Sequence, residues 1–256
     1  MSQWSPNQYL KFADERTRPA SDLLARVRSE RVETVTDLGC GPGNSTELLA
    51  RRFPHARLFG IDTSAAMIEA AQKRLPDARF AMEAIQDWSP DTSQDLIFAN
   101  ASLQWVPGHA RLFPRLAGFL AEGGTLAFQI PDNLDAPSHT TMSEAARDIG
   151  LGEIVSAAEV ERTKIASAND TYAMLKPVCR RIDIWRTTYY HPLAGLDSIV
   201  EWLKGTGLLP YLSRMAPERH EDFLQAYRQR LVPHFPEMDD GTVLLPFPRL
   251  FIVAVR

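Results

Sequence analysis

Cysteine is nearly missing from this chain of 256 residues: Cys40 and Cys179 are the two, far apart and outside any C-x-x-C or Cys/His spacing. That spacing offers no disulfide framework and no zinc site, and leaves two small thiols of the kind that cores bury. Long hydrophobic runs are missing as well. No segment approaches the roughly 18 apolar residues of a membrane span, and the start M-S-Q-W-S-P-N-Q-Y-L lacks the basic-then-apolar order of a secretory signal. The expectation is a cytoplasmic protein with no membrane partner. Charge of one sign is scarce: 28 basic and 32 acidic residues are interspersed, for a net charge of −4. Such a balance argues against a nucleic-acid-binding face and points to small-molecule partners or another copy of the chain, as monomer or homodimer. Lysine is scarce too, confined to Lys11, Lys73, Lys164, Lys176 and Lys204. Most positive charge is therefore carried by arginine, whose planar fork suits carboxylates.

What is present is a core-forming composition, 45% hydrophobic and 23% charged. Short β-branched or aromatic runs occur at 33–38, 57–62, 78–82, 95–99 and 124–130, and amphipathic segments lie near 45–52, 64–74 and 109–120. That alternation predicts a doubly wound, mostly parallel sheet with helices on both faces. After Pro131 the pattern turns helical, at 139–150 and 169–176. Strand-like patterns return at 181–190 and 249–256, with helical stretches at 197–204 and 218–231 between them. The predicted organisation is a core with N-terminal helices over 1–130, a helical cap inserted after strand 5 over 131–177, and remaining core strands over 178–256 with further cap helices at about 193–240. The two late strands bring the sheet to seven.

The stretch V-T-D-L-G-C-G-P-G-N, residues 35–44, places three glycines behind an apolar run. A P-loop would end in G-K-[ST], but here Gly43 is followed by Asn44 and Ser45, with no lysine for phosphates. A dinucleotide fingerprint would need a glycine where Asn44 stands, and Pro42 removes an N–H that could face a pyrophosphate. The loop is instead preceded by Asp37, which would repel a phosphate and attract a cation. The next strand-like run ends in Asp62, where doubly wound folds place an acid on ribose hydroxyls. A ligand with a ribose diol, a positive group and no phosphate fits, and S-adenosylmethionine (SAM) has all three properties.

These residues, with G-I-D-T-S-A-A-M-I, D-L-I-F-A-N-A-S-L-Q-W-V and L-A-E-G-G-T-L-A-F-Q, resemble the class I SAM-dependent methyltransferases over roughly residues 33 to 130. The resemblance implies a Rossmann-like fold and SAM as cofactor, with no metal. It sets Gly39, Gly41 and Gly43 against the amino acid part of SAM, with Asp37 on its ammonium. It sets Asp62 on the ribose, and Met67, Ala84 and Ile85 near the adenine, with Glu83 or Asp87 as the neighbouring acid. Asn100 and Ser102 would line the methionine and the sulfonium.

The acceptor must be read elsewhere. Methyl transfer from a sulfonium needs near-linear positioning, and a carboxylate acceptor, already ionised at pH 7, needs clamps but no general base. No catalytic side chain is then required. The stretch W-R-T-T-Y-Y-H-P-L-A-G offers Tyr189, Tyr190 and His191, and P-F-P-R-L-F offers Arg249. Strand alternation forbids Tyr189 and Tyr190 from sharing a face. These stretches, with E-W-L-K-G-T-G-L-L-P-Y-L and W-S-P-N-Q-Y-L-K-F-A-D-E-R-T-R-P, resemble a bacterial branch of the family that esterifies one carboxylate of the tricarboxylate trans-aconitate. A trianion needs a locally positive pocket, for which Arg249, Arg147 and Arg18 are candidates in that order. A phenol or quinone acceptor, or a regulator that binds SAM without turnover, are alternatives compatible with the same cofactor motifs.

Overall fold

The computed structural model describes residues 13–29, 31–161 and 165–256. The chain divides into two compact units. Among the described residues, one comprises 13–131 without residue 30, Ile165–Thr187 and Leu250–Arg256; the other comprises 132–161 and Thr188–Arg249.

The first unit opens with α1 (Ala13–Ala25) and then alternates β1 (Thr34–Leu38), α2 (Asn44–Arg52), β2 (Arg57–Asp62), α3 (Ala65–Arg74), β3 (Arg79–Met82), β4 (Gln94–Asn100), α4 (His109–Gly118) and β5 (Leu120–Pro131). Each strand is read from its own chemistry: β1 and β4 are buried along nearly their whole length, as apolar runs covered on both faces must be. Helix α3 starts where Ser64 caps it, its Oγ accepting from the Met67 N–H. Helix α7 (Ala168–Leu175) starts the same way on Ser167.

The sheet has seven strands in the order β3-β2-β1-β4-β5-β7-β6, where β6 is Arg181–Ala194 and β7 is Thr242–Val255. Strands β1 to β5 are parallel, with Asp37 beside Gly60 and Asn100 beside Gln129. Strand β7 runs antiparallel to β5. The Asp132 N–H reaches the Pro248 carbonyl at 2.9 Å, and at the other end Arg256 donates to Gly124 at 3.0 Å. Phe98, Phe128, Leu126 and Ile252 are wholly buried in the middle of this sheet. Because the strand order reverses between β1 and β4, a crevice opens beyond their C-terminal ends, where doubly wound sheets bind ligands.

The second unit is built from α5 (Pro137–Asp148), α6 (Val155–Glu161), α8 (Leu196–Lys204), α9 (Leu209–Leu212) and α10 (His220–Leu231), with residues of β6 and β7. Pro137 opens α5, where its missing N–H costs nothing. Helices α5 and α10 are joined by the buried Tyr227, whose hydroxyl donates to the Ser138 carbonyl at 2.7 Å. Arg230 adds an exposed fork onto Asp148 at 2.7 and 2.8 Å. Gly207 packs against His139 and Met142; a Cβ there would lie 2.9 Å from the Met142 methyl carbon.

Candidate functional site

A cavity of about 270 Å³ sits at the C-terminal edge of the parallel strands. After β1 its wall is Gly39 and Gly41; after β2, Asp62 and Thr63, with Met67 from α3; after β3, Glu83, Ile85 and Gln86. Strand β4 adds Asn100, Ala101 and Ser102, and the short turn at 103–105 adds Trp105, followed by Val106.

The glycines are required for different reasons. Gly39 has φ +72 and approaches β4 so closely that a Cβ would fall 2.4 Å from Ser102 Cβ. Gly41 has φ +54 and open space where a Cβ would stand, so its backbone is bare toward a ligand. Gly43, at φ +88, does not line the cavity. It begins α2 and faces α3, where a Cβ would meet the Ala71 Cα at 3.3 Å. Its side-chain absence serves helix packing.

Asp62 closes the loop onto itself. Its Oδ2 accepts from the Gly41 N–H at 3.0 Å and its Oδ1 from the Ser64 N–H at 2.9 Å. Burial raises its pKa, opposed by the N–H groups of Ser64, Gly41 and Thr63. Asp37 lies beneath the loop, wholly buried and not in the cavity wall. Its Oδ2 accepts from Ser45 Oγ and Thr46 Oγ1, each at 2.7 Å, while Oδ1 has no hydrogen-bond partner among the described residues. Burial pushes its pKa up to about 6, the two hydroxyls pull it down and the charge of Asp62 adds to the rise.

On the β4 side, Ser102 Oγ donates to the Leu38 carbonyl at 2.6 Å. Asn100 Oδ1 accepts from Gln129 Nε2 at 2.7 Å, which leaves the Asn100 amide hydrogens to donate. Between them Ala101 adopts φ 55, a left-handed conformation that an alanine rarely adopts. It is held from two sides, by its N–H on the Gln129 carbonyl and by Gln104 Nε2 on its own carbonyl. Strain of this sort survives only when the surroundings impose it, and it concentrates at ligand sites. His109 Nε2 donates to the Leu103 carbonyl at 2.9 Å and its ring stacks on Phe113, fixing the turn that carries Trp105.

Among the described residues the cavity wall thus carries two carboxylates, Asp62 and Glu83, and neither lysine nor arginine. That donor set accepts ribose hydroxyls and favours positive charge. It is unsuited to phosphate. Among the described residues no group of three or more His, Cys, Asp and Glu could hold a metal ion.

Of the expected cofactor residues, Gly39, Gly41, Asp62, Met67, Ile85, Asn100 and Ser102 meet at this one cavity, while Asp37 and Gly43 lie behind its wall and Ala84 is outside it. Thr63, Gln86, Ala101, Trp105 and Val106 were not anticipated. An aromatic after a strand carries no mark in sequence of the side it faces, so Trp105 has no local signal beyond the nearby Ser102.

The expected acceptor residues separate. Tyr189 and His191 point to the buried face of β6, as Tyr190, on the opposite face and 60% exposed, does not. The His191 ring lies 4.6 Å from that of Trp202 and 6.0 Å from that of Phe247, and the Arg249 guanidinium stands 4.8 Å over Phe247. Arg249 is almost completely buried, unusual for a group that cannot shed its charge. An aromatic and cationic cluster of this kind suits a carboxylate. Tyr190 is corrected out of it by strand alternation. Arg147, in the last turn of α5, and Arg18, on α1, are both exposed. The start of the stretch W-S-P-N-Q-Y-L-K lies outside the described residues.

Comparison with known proteins agrees with this fold. The structure is similar to the YcgJ protein of Bacillus subtilis (TM-score 0.58, 14% identity, 93% of this chain and 98% of that one). It is also similar to geranyl diphosphate C-methyltransferase of Streptomyces coelicolor, solved with S-adenosyl-L-homocysteine (TM-score 0.54, 19% identity, 94% and 77%). Residues 35–124 match the family described as "Methyltransferase domain". Fold and motif together define a class I methyltransferase. Curated relatives named trans-aconitate 2-methyltransferase are 52% identical in Methylobacterium nodulans (100% of this chain, 99% of the relative) and 50% in Paracidovorax citrulli (100% and 99%). The chain belongs to this trans-aconitate 2-methyltransferase family.

Proposed function

We propose that this chain transfers the methyl group of S-adenosylmethionine to one carboxylate of trans-aconitate, giving the monomethyl ester and S-adenosylhomocysteine. The observation that carries the reading is 52% identity across the whole chain to a relative of that name, joined to a cavity whose acids suit a positive, phosphate-free cofactor. When bound, SAM supplies a methyl group on a cationic sulfur, and its transfer to a carboxylate oxygen leaves a neutral thioether and an ester with no proton to move.

The residues of the chain supply placement. Asp62 is the acceptor for the ribose hydroxyls, Met67 and Ile85 offer apolar surface to the adenine, and the bare backbone at Gly41 admits the amino acid part. Asn100 donates with its amide. Arg249, with Tyr189 and His191, is assigned to hold acceptor carboxylates, since a desolvated guanidinium binds a carboxylate far more strongly than an exposed one does. A carboxylate with a pKa near 4 is ionised without help, so none of these groups acts as a base. Incubation with methyl-labelled SAM and a panel of tricarboxylates tests the reading: a labelled monomethyl ester of trans-aconitate is expected, and label transfer to none of the panel refutes the acceptor.

A further inference from the structure

At the end of the sheet opposite the cofactor cavity, where β5 and β6 begin and β7 ends, a second pocket of about 460 Å³ is lined by Arg28, Ser29, Gly123, Arg180, Arg181 and Val255, all within the first unit. Its size is that of a small-molecule site. Half of its lining is arginine, and no acid lines it among the described residues. The backbone sets these guanidinium groups close together. The Arg180 N–H donates to the Val255 carbonyl at 2.9 Å, and Gly123, at φ +78, lies under the Arg180 fork, whose Nη2 would be 3.6 Å from a Cβ there. Ser29 approaches Thr125 at 3.2 Å, which brings the segment after α1, with Arg28, to the start of β5.

Arginines elsewhere in this unit have something to hold: Arg51 and Arg74 share Glu47, and Arg256 donates to the Gly118 and Leu120 carbonyls. Arg28, Arg180 and Arg181 are exposed, and their side chains make no hydrogen bond or ion pair with any described residue. Three like charges converging on one concavity repel each other, and a cleft focuses their field on whatever enters. Each fork can present two parallel N–H groups to one oxyanion. The large groove on the same unit carries Arg57, Arg74 and Arg79 too, but Asp77, Asp91 and Glu83 stand among them and balance the charge.

We propose that the Arg28–Arg180–Arg181 pocket is a binding site for a small polyanion bearing two or more oxyanion groups, an oligophosphate or a polycarboxylate. The basic ground is narrow, since Glu122 beside Gly123 and Asp183 two residues beyond Arg181 are exposed acids, so a compact anion suits it and an extended nucleic acid does not. The site is independent of the SAM cavity and of the acceptor clamp. A ligand there joins the segment between α1 and β1 to the starts of β5 and β6, and so stabilises the folded chain by mass action.

The test titrates the full chain calorimetrically, at constant ionic strength, with tripolyphosphate in one arm and tricarballylate in the other. The parent is compared with the triple variant Arg28→Gln, Arg180→Gln, Arg181→Gln, and the reading is the difference between them, so that any tricarboxylate held at the acceptor clamp cancels. The parent should bind one more equivalent per chain than the variant, with Kd below about 1 mM, and each single substitution should weaken that event about threefold or more. Binding of tripolyphosphate alone assigns the site to phosphate compounds, of tricarballylate alone to polycarboxylates, and of both to their shared charge. The bound anion should raise the urea midpoint of the parent and not of the variant, while the variant's midpoint without anion equals or exceeds the parent's. Binding of neither probe, equal binding by parent and triple variant, or a lower anion-free midpoint in the variant, which would make the arginines part of the fold's own support, overturns the proposal.

Discussion

Replacing Gly39 by alanine tests the idea that the loop's conformation is set by the approach of β4. The new Cβ would stand 2.4 Å from Ser102 Cβ, where no carbon can remain, and the backbone would keep an alanine at φ +72. The left-handed conformation costs an L-residue about 1–2 kcal/mol. Crowding in a packed site adds about 1–3 kcal/mol, because Ser102 can move only by giving up its hydrogen bond to the Leu38 carbonyl. Gly39→Ala should therefore destabilise the ligand-free chain by about 2–5 kcal/mol in urea unfolding. Gly41→Ala is the control: φ is again positive but no atom of the described residues lies within 4 Å of its Cβ. It should cost only the conformational share, about 1–2 kcal/mol, and should weaken cofactor binding because the methyl enters the cavity. Adding Ser102→Gly to Gly39→Ala should recover the crowding share and leave the left-handed share, once the effect of Ser102→Gly alone is subtracted. Equal losses for the two alanine variants, or no recovery in the double variant, would refute the steric account.

Asp37→Asn should stabilise the ligand-free chain at pH 7.5. With a folded pKa of about 6 above the ordinary 3.8, the folded chain keeps a proton that the unfolded chain releases between pH 4 and 6, so this group's contribution to stability falls as pH rises through that window. Above pH 6 the ionised carboxylate costs on the order of 3 kcal/mol. Asparagine removes that slope, leaving only the same-signed share of Asp62, and thermal scans from pH 4 to 8 would show it; a lower melting temperature at pH 7.5 contradicts the assignment. Arg249→Ala should lower kcat/KM for the tricarboxylate by about 2–5 kcal/mol, while Tyr190→Ala leaves kcat/KM unchanged, and steady-state kinetics decide both. Tyr227→Phe should cost about 1–3 kcal/mol in urea unfolding, since it leaves the buried Ser138 carbonyl without its 2.7 Å donor.

Much of the sheet was legible because its strands are short apolar runs bounded by turn residues: the expected segments at 57–62, 78–82 and 95–99 lie on β2, β3 and β4 within a residue. The direction of β7 was not, since an apolar run reads the same for either orientation. The glycine loop and Asp62 were legible because few ligands demand that combination of a bare backbone and acids. Gly43 shows the limit, for a glycine required by the neighbouring helix α3 looks in sequence like one required by a ligand. Tyr189 and Tyr190 show another: alternation says that one of the pair faces inward, but which one depends on what β6 packs against. Trp105 turns into the cavity wall through the strained Ala101 and the His109 anchor on Leu103, three-dimensional causes without a local pattern.

The strand order carries a consequence for how the chain must be assembled during synthesis. Strand β6 is made before β7, yet it has no seat until β7 arrives, because β7 lies between it and β5. Through that interval β5 presents an unpaired edge of twelve residues, nine of them buried in the finished sheet. Such an edge is a template for other nascent chains. Slow translation through 195–241, or a stall before residue 242, therefore prolongs the exposure of that edge and with it the chance of aggregation.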